Sequence, residues 1–159
     1  MKKTAPLLLI AFILALITAC SGGRENAIGQ SEYEKIKSER SGKVLVVNVF
    51  ASWCPPCAAE TPGFVSLYAQ DGGENFEIVG LSIDENRREL DRFLSRYKVN
   101  YPTFVIDETL QRRLFADKVP TTVIYYPDGE YYATIFGAVN KPTLLMHVEK
   151  AQKRYAEKN

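Results

Sequence analysis

The sequence predicts an α/β fold in which helices cover both faces of one mixed central β-sheet. Residues 44–50 are apolar and mostly β-branched apart from Asn48, which is typical of a strand that is buried on both faces. Helical and strand patterns then alternate along the chain. Near its end, two short apolar runs flank Pro-Asp-Gly-Glu at residues 127–130, which indicates an antiparallel hairpin.

The elements are expected in a definite order. Ser31 and Glu34 fit a capping box, which predicts that a helix starts at Ser31 and ends near residue 40. After the buried strand, Pro55 and Pro56 fit the first turn of a helix, where a missing N–H is tolerated, and this helix should end near residue 69. The later elements are a strand at 76–84, a helix at 86–97, a strand at 103–106, a short helix at 110–115, hairpin strands at 121–126 and 131–136, and a helix at 140–158.

The start of the chain has the composition of an export signal. Two lysines precede an apolar stretch at residues 7–17, which is shorter than the roughly 20 residues of a membrane span. This predicts a signal peptide over residues 1–19, with an uncleaved anchor as the alternative. Ile-Thr-Ala-Cys at the end of the signal resembles the bacterial lipobox, so we expect Cys20 to carry a lipid that anchors the mature protein to a membrane.

Residues 20–30 are rich in glycine and polar side chains and show no periodicity, which predicts a flexible tether. The folded domain should then occupy residues 31–159, a length that suits a single core. The chain has 20 basic and 19 acidic residues, for a net charge of +1, and no basic run. This balance argues against a nucleic-acid partner.

Cys54 and Cys57 follow the buried strand directly and are separated only by two prolines. Structural zinc needs four ligands, whereas the chain has three cysteines and one histidine, so we expect no metal. A c-type haem site needs histidine after the second cysteine, where this chain has Ala58. A purely structural disulfide over so small a loop gains little chain entropy. The pattern therefore favours a redox pair that needs no further cofactor.

The position of the two cysteines also predicts their roles. Cys54 lies just before the helix start, where free N–H groups and the helix dipole favour a thiolate, so we expect it to be the attacking sulfur. Cys57 lies one turn further into the helix and should be shielded. It is the expected resolving thiol, which releases the substrate from a mixed disulfide.

The stretch Val-Val-Asn-Val-Phe-Ala-Ser-Trp-Cys-Pro-Pro-Cys-Ala-Ala-Glu-Thr-Pro at residues 46–62 resembles the thioredoxin superfamily, in its exported TlpA/ResA-like branch of thiol:disulfide oxidoreductases. The resemblance extends from Ser31 to the C-terminus. It implies a thioredoxin-like fold with one extra helix and strand between Asp84 and Pro120. It also implies an exported, membrane-tethered reductase facing the periplasm or extracytoplasmic space, which in some members acts in cytochrome c maturation.

The resemblance further implies partners and a substrate-binding surface. The partners would be disulfide-containing exported proteins and a transmembrane thiol donor. Pro120 matches the family's cis-proline, which lets the preceding backbone pair with substrate; an ordinary trans turn is the alternative. Trp53 matches the tryptophan beside the nucleophile, with a packing role as its alternative. The residues expected to contact substrate are Trp53, Pro55, Pro56, Val119, Pro120 and Thr121.

One position departs from the pattern of cytoplasmic thioredoxins, which carry a buried aspartate six residues before the first cysteine. This chain has Asn48 there, and an amide cannot titrate. Glu60 matches an acidic residue of the exported branch, one helical turn past Cys57, and we expect it to accept the proton of the resolving thiol. An exposed surface charge is the alternative.

Other functions remain open at this stage. A disulfide oxidant or isomerase would use the same fold and cysteine pair. A binding lipoprotein without catalytic activity would keep the fold alone. A peroxidase of the superfamily is disfavoured because its usual Pro-x-x-x-Thr-x-x-Cys setting is absent from the sequence.

Overall fold

The computed structural model describes residues 26–114 and 117–158. The predicted signal peptide at residues 1–19 and the expected lipidation site, Cys20, lie outside the described residues, as does the first half of the predicted tether.

The described residues form helices and strands close to the predicted positions. The helices are α1 (Gln30–Glu39), α2 (Pro55–Asp71), α3 (Arg87–Tyr97), α4 (Glu108–Arg113) and α5 (Lys141–Lys158). The strands are β1 (Val44–Phe50), β2 (Phe76–Ser82), β3 (Thr103–Val105), β4 (Thr121–Tyr125) and β5 (Tyr131–Phe136). The predicted insertion is confirmed as α3, β3 and the short α4.

The strands form one sheet in the order β3-β2-β1-β4-β5. Strand β1 pairs in parallel with β2 and antiparallel with β4, and β3 and β5 extend the sheet at its two edges. The predicted mixed sheet is therefore confirmed. The β4–β5 hairpin turns at Gly129, whose φ of +83° is a conformation that glycine adopts without steric cost.

The apolar character of β1 is explained by two hydrophobic clusters, one on each face of the sheet. Leu45, Val47 and Val49 pack with side chains of α1, α3 and α4. Val44 and Val46 pack with side chains of α2 and α5 on the opposite face. Because both faces are covered, every residue of the strand is buried.

The first helix and the tether boundary differ from the prediction. The helix begins at Gln30, and the backbone N–H of Gly29 donates to the carboxylate of Glu32 at 3.1 Å. The hydroxyl of Ser31 bonds to that same carboxylate, so the predicted cap by Ser31 and Glu34 is wrong. The predicted tether at 20–30 also extends too far, because Ile28 already forms a parallel bridge with Ile106.

Other boundaries are shifted by one or two residues, and the short helix predicted at 110–115 is α4 at Glu108–Arg113. Helix α2 continues to Asp71, past the predicted end near residue 69. Strand β2 ends at Ser82, before the predicted end at Asp84. Here the backbone N–H of Asp84 donates to the side-chain oxygen of Ser82 at 2.9 Å instead of joining the ladder.

The sheet brings two distant loops together. Strand β1 ends at Phe50 and leads into the turn before α2. Strand β4 is antiparallel to β1 and starts where β1 ends, with Thr121 paired opposite Val49. The loop before β4, which contains Val119 and Pro120, therefore lies beside the turn that carries the first cysteine.

Candidate active site

Cys54 and Cys57 are joined in a disulfide at the start of α2, with their Cα atoms 5.3 Å apart. Cys54 is the N-cap residue of the helix, and its sulfur accepts a hydrogen bond from the backbone N–H of Cys57 at 3.2 Å. Cys54 is 4% exposed and Cys57 is 0% exposed. Of the two sulfurs, only that of Cys54 is therefore within reach of a molecule from solvent.

The loop before β4 approaches the outer cysteine. The carbonyl oxygen of Val119 lies 3.7 Å from the Cys54 sulfur, and the peptide bond between Val119 and Pro120 is cis, as expected. The carbonyl of Pro120 accepts a hydrogen bond from the N–H of Gly137 at 2.9 Å, which ties the loop to the end of β5.

The loop's side chains differ in their access to substrate. Pro120 and Thr121 are buried, whereas Val119 is half-buried. The hydroxyl of Thr121 donates to the carbonyl of Lys118. The side chain of Thr121 therefore supports the loop from within, and the predicted contact of Thr121 with substrate would have to use its backbone. Of the three positions predicted to contact substrate here, Val119 is the one that is not buried.

Trp53 is 63% exposed, which excludes a packing role and leaves the predicted contact surface. It stands between two grooves. The first, of about 900 Å³, is bordered by Cys54, Pro55, Phe93 and Tyr97 among others, so α3 of the insertion forms one wall. The second groove, of about 460 Å³, runs from Trp53 to Val119. Pro56 is exposed but lines neither groove.

Glu60 is buried, with an exposed fraction of 5%, so the surface-charge alternative is wrong. One carboxylate oxygen accepts from the Asn48 side-chain amide at 2.8 Å, and the other accepts from the backbone N–H of Val139 at 2.9 Å. Burial raises the pKa of Glu60 to about 7, although both hydrogen bonds favour the charged form. A group with this pKa can take up and release a proton near neutral pH.

The surroundings of Glu60 include a buried phenol and a cleft. The phenol of Tyr101 has a raised pKa, first because it is buried and second because of the negative charge of Glu60. Glu60 also borders a cleft of about 310 Å³ together with Gly63 and residues 138–141.

Three residues were missed by reasoning from the sequence. Asn48 was treated only as a group that cannot titrate, whereas its amide holds the Glu60 carboxylate and lies 3.4 Å from the Thr122 hydroxyl. A polar residue within an apolar strand was the available signal. The half-buried Ser52 and the buried Asp84 form a second polar cluster beside the site, and no sequence pattern indicated their contact.

No helix within residues 26–114 and 117–158 combines the length and the apolar character needed to cross a membrane.

Comparison with protein families gives a match to Redoxin over residues 29–117, more than half of the chain. Two proteins described as thiol-disulfide oxidoreductase ResA are similar in sequence. The Oceanobacillus iheyensis protein is 32% identical over 103 residues, which cover 64% of this chain and 54% of that protein. The Bacillus subtilis protein is 26% identical over 105 residues, which cover 65% and 59%. The matched region thus spans between 54% and 59% of these relatives' length.

Solved structures share the fold. A thiol:disulfide interchange protein of the thioredoxin family from Chlorobium tepidum superposes with a TM-score of 0.66 at 25% identity, covering 72% of this chain and 83% of that chain. StoA from Bacillus subtilis superposes with a TM-score of 0.60 at 23% identity, covering 67% and 83%. The mixed sheet with its helices is therefore a thioredoxin-like fold.

Proposed function

Because the chain belongs to the Redoxin family, as a ResA-like member of the thioredoxin superfamily, we propose that it is a thiol:disulfide oxidoreductase that reduces disulfides of exported proteins. The observation that carries the proposal is the Cys54–Cys57 disulfide at the start of α2. Its outer sulfur is both the more accessible one and the one that accepts a helix N–H. Both properties suit a sulfur that acts as nucleophile and leaving group.

The first step uses the reduced form of the pair. The Cys54 thiolate attacks one sulfur of a substrate disulfide, and a new bond forms between Cys54 and substrate while the substrate's own S–S bond breaks. The substrate's other sulfur leaves as a thiolate and takes a proton from solvent. The N–H of Cys57 and the helix dipole stabilise the Cys54 thiolate before attack.

The second step releases the substrate. The Cys57 thiol loses its proton and attacks the Cys54 sulfur, which restores the Cys54–Cys57 disulfide. The second substrate sulfur leaves and is protonated, so two electrons have passed from the protein to the substrate. We assign Glu60 as the base for Cys57, because it lies one helical turn further along α2 and has a pKa of about 7.

The substrate would meet the protein on both sides of Trp53. Its polypeptide backbone would pair with that of Val119, and its flanking side chains would occupy the grooves on either side. Pro55 contributes to the wall of the first groove. This arrangement favours an extended, locally unfolded substrate chain, because an extended backbone can present its hydrogen-bonding groups to a loop edge. An apocytochrome c, with cysteines in an unfolded chain, has this character.

The location follows from the N-terminal sequence. We propose that residues 1–19 direct export and that a lipid on Cys20 holds the domain at a membrane, facing the periplasm or extracytoplasmic space. A reductase there needs a source of electrons, so a transmembrane thiol donor must recharge it. Mass spectrometry of the mature N-terminus from membranes tests the anchor: a lipid-modified Cys20 is expected, and an unmodified Cys20 or a cleavage elsewhere contradicts it.

Reduction of insulin disulfides by a dithiol donor tests the activity. The protein should accelerate the reaction over the donor alone, and a variant with both Cys54→Ser and Cys57→Ser should not. Equal rates with the wild-type protein and this variant would contradict the proposal. They would favour the alternative of a binding lipoprotein that has the fold but no catalytic activity.

A further inference from the structure

Asp84 is a buried acid that the two-step mechanism does not use. It is 2% exposed, and it follows β2 at the edge of the sheet where β1 also ends. Glu60 is the other buried carboxylate among residues 26–114 and 117–158. Burial of a charged group is costly unless hydrogen bonds replace the water that it loses. The partners of Asp84 therefore indicate what holds this carboxylate in place.

Both oxygens of the Asp84 carboxylate accept hydrogen bonds. The Oδ2 atom accepts from the Ser52 backbone N–H at 2.9 Å and from the Ser82 hydroxyl at 2.7 Å. The Oδ1 atom accepts from the Ser52 hydroxyl at 2.6 Å and lies 3.2 Å from the Ser52 backbone nitrogen. Asp84 thus holds Ser52 by its backbone and by its side chain together.

Ser52 precedes Trp53 directly and Cys54 by two positions. The turn that contains them is otherwise closed by a 3.2 Å bond from the Cys54 N–H to the Ala51 carbonyl. Because the Trp53 side chain is largely exposed, packing constrains it little, and the backbone of the turn sets the direction in which its Cα–Cβ bond points. Asp84 also lines the groove between Trp53 and Val119, so it lies at the surface where the substrate is proposed to bind.

We propose that Asp84 is a positioning residue that acts through Ser52 to hold Trp53 and Cys54 in the orientation that receives the substrate disulfide. This inference deepens the proposed function and rests on it for the identity of the substrate. The hydrogen bonds by which Asp84 fixes Ser52, and through it the position of Trp53, do not depend on that function. Thiol–disulfide exchange needs the attacking sulfur and the substrate disulfide in a defined alignment, and small displacements of reacting groups lower rates strongly.

The side-chain chemistry indicates a suitable variant. In Asp84→Asn, the amide oxygen can still accept from the Ser52 N–H and the Ser82 hydroxyl, but an amide nitrogen in the place of Oδ1 cannot accept from the Ser52 hydroxyl. The variant thus keeps the size of the residue, and the bond with the Ser52 hydroxyl is either lost or reversed, with the amide as donor. Ser52→Ala is a milder change, because it removes one hydroxyl and leaves the backbone N–H bond to Asp84.

Asp107→Asn is the matched control. Asp107 also accepts a backbone N–H through its carboxylate, from Leu110 at 2.7 Å, but it caps α4 and lines neither groove beside Trp53. Asp107→Asn should lower the free energy of unfolding for a similar reason, the loss of a carboxylate that accepts a backbone N–H, and it should leave the turn before Cys54 unchanged. Any effect of Asp84→Asn that Asp107→Asn does not share is then specific to the position of Asp84.

Trp53 is the single tryptophan of the chain, so its fluorescence reports on this turn alone. In the oxidised full-length protein, Asp84→Asn and Ser52→Ala should lower the fluorescence anisotropy of Trp53, whereas Asp107→Asn should leave it at the wild-type value. In insulin reduction, Asp84→Asn should lower kcat/KM by about tenfold. The double variant Ser52→Ala, Asp84→Asn should be no slower than Asp84→Asn, because both changes remove one shared interaction.

Wild-type anisotropy and kcat/KM in both Asp84→Asn and Ser52→Ala would overturn the inference. The inference would also be overturned if Asp84→Asn lowered anisotropy and kcat/KM only as much as Asp107→Asn does. Such equal decreases would reflect a loss of stability alone. If Asp84→Asn does not fold, Ser52→Ala carries the same two measurements. A wild-type protein without insulin reduction would contradict the proposed function instead, and the anisotropy comparison would still decide whether Asp84 holds the turn.

Discussion

The side-chain amide of Asn48 and the carboxylate of Glu60 are joined in the protein interior by a 2.8 Å hydrogen bond between Nδ2 and Oε1. The resemblance to thioredoxins places this amide where cytoplasmic members carry an aspartate. On our proposal, Glu60 on the helix that bears the cysteines is the titrating group instead, and Asn48 on the strand is a neutral donor that orients it.

The stability of the oxidised protein should fall as pH rises from about 4.5 to about 7. Burial raises the pKa of Glu60 from 4.5 to about 7, so the folded state holds a proton that the unfolded chain releases. The stabilisation that protonated Glu60 gives to the folded state is complete below about pH 4.5 and is lost as the pH rises through about 7. Between pH 5 and pH 8 this group should cost about 2 to 3 kcal/mol of unfolding free energy.

Chemical denaturation of the oxidised protein at several pH values measures this effect, since the disulfide-bonded cysteines do not titrate. Glu60→Gln is the control variant, because it cannot release a proton. Its stability should show a correspondingly smaller decline over the same range. An identical decline in both proteins would mean that Glu60 has an ordinary pKa.

Asn48→Asp should destabilise the protein at high pH. The new carboxylate would lie within hydrogen-bond distance of Glu60, and two carboxylates this close cannot both ionise without cost. At pH 8 we expect a loss of about 3 to 5 kcal/mol, and at pH 5 a much smaller one, because the pair can then share a proton. Asn48→Ala, measured in parallel, should show a weaker pH dependence, because it removes a hydrogen bond that favours ionised Glu60 but adds no second charge.

Glu60→Gln should slow the release of substrate more than the initial attack. Cys57 must lose its proton before it attacks, whereas Cys54 has a helix N–H to stabilise its thiolate. A positioned base contributes roughly 100-fold or more to such a step. Stopped-flow measurement of mixed-disulfide decay should show a slower rate in Glu60→Gln and loss of the rise in rate toward pH 7. Alkylation of Cys54 should change less; unchanged decay from pH 6 to 8 would remove Glu60 from the mechanism.

The sequence was sufficient to predict β1, the helix start at the cysteines and the mixed sheet, because local periodicity and proline placement determine them. It also identified Glu60 as a candidate, but not its burial. The two hydrogen bonds of this carboxylate come from Asn48 and from Val139, 12 and 79 residues away. Contacts between such distant residues depend on how the sheet and helices pack, as does the contact of Asp84 with Ser52. The burial of the Thr121 side chain could not be predicted for the same reason, since its direction depends on the register of β4.

Cys57→Ser should accumulate mixed disulfides with substrate, whereas Cys54→Ser should not. Cys54 is the more exposed sulfur and Cys57 is fully buried, so only Cys54 can meet a substrate disulfide directly. Non-reducing electrophoresis after incubation with a disulfide-containing protein shows the adducts. Equal trapping by the two variants would mean that the roles of the cysteines are not distinct.

The reduction potential of the Cys54–Cys57 pair tests the reductase proposal most directly. Pro55 and Pro56 offer no N–H to the Cys54 thiolate, which leaves the N–H of Cys57 and the helix dipole to stabilise the reduced form. With so few stabilising groups, equilibration against a series of glutathione or dithiothreitol buffers should give a potential nearer the value of about −270 mV of thioredoxin than the value of about −120 mV of DsbA. A potential more positive than about −180 mV, the value of protein disulfide isomerase, would instead show an oxidant or isomerase and contradict the account.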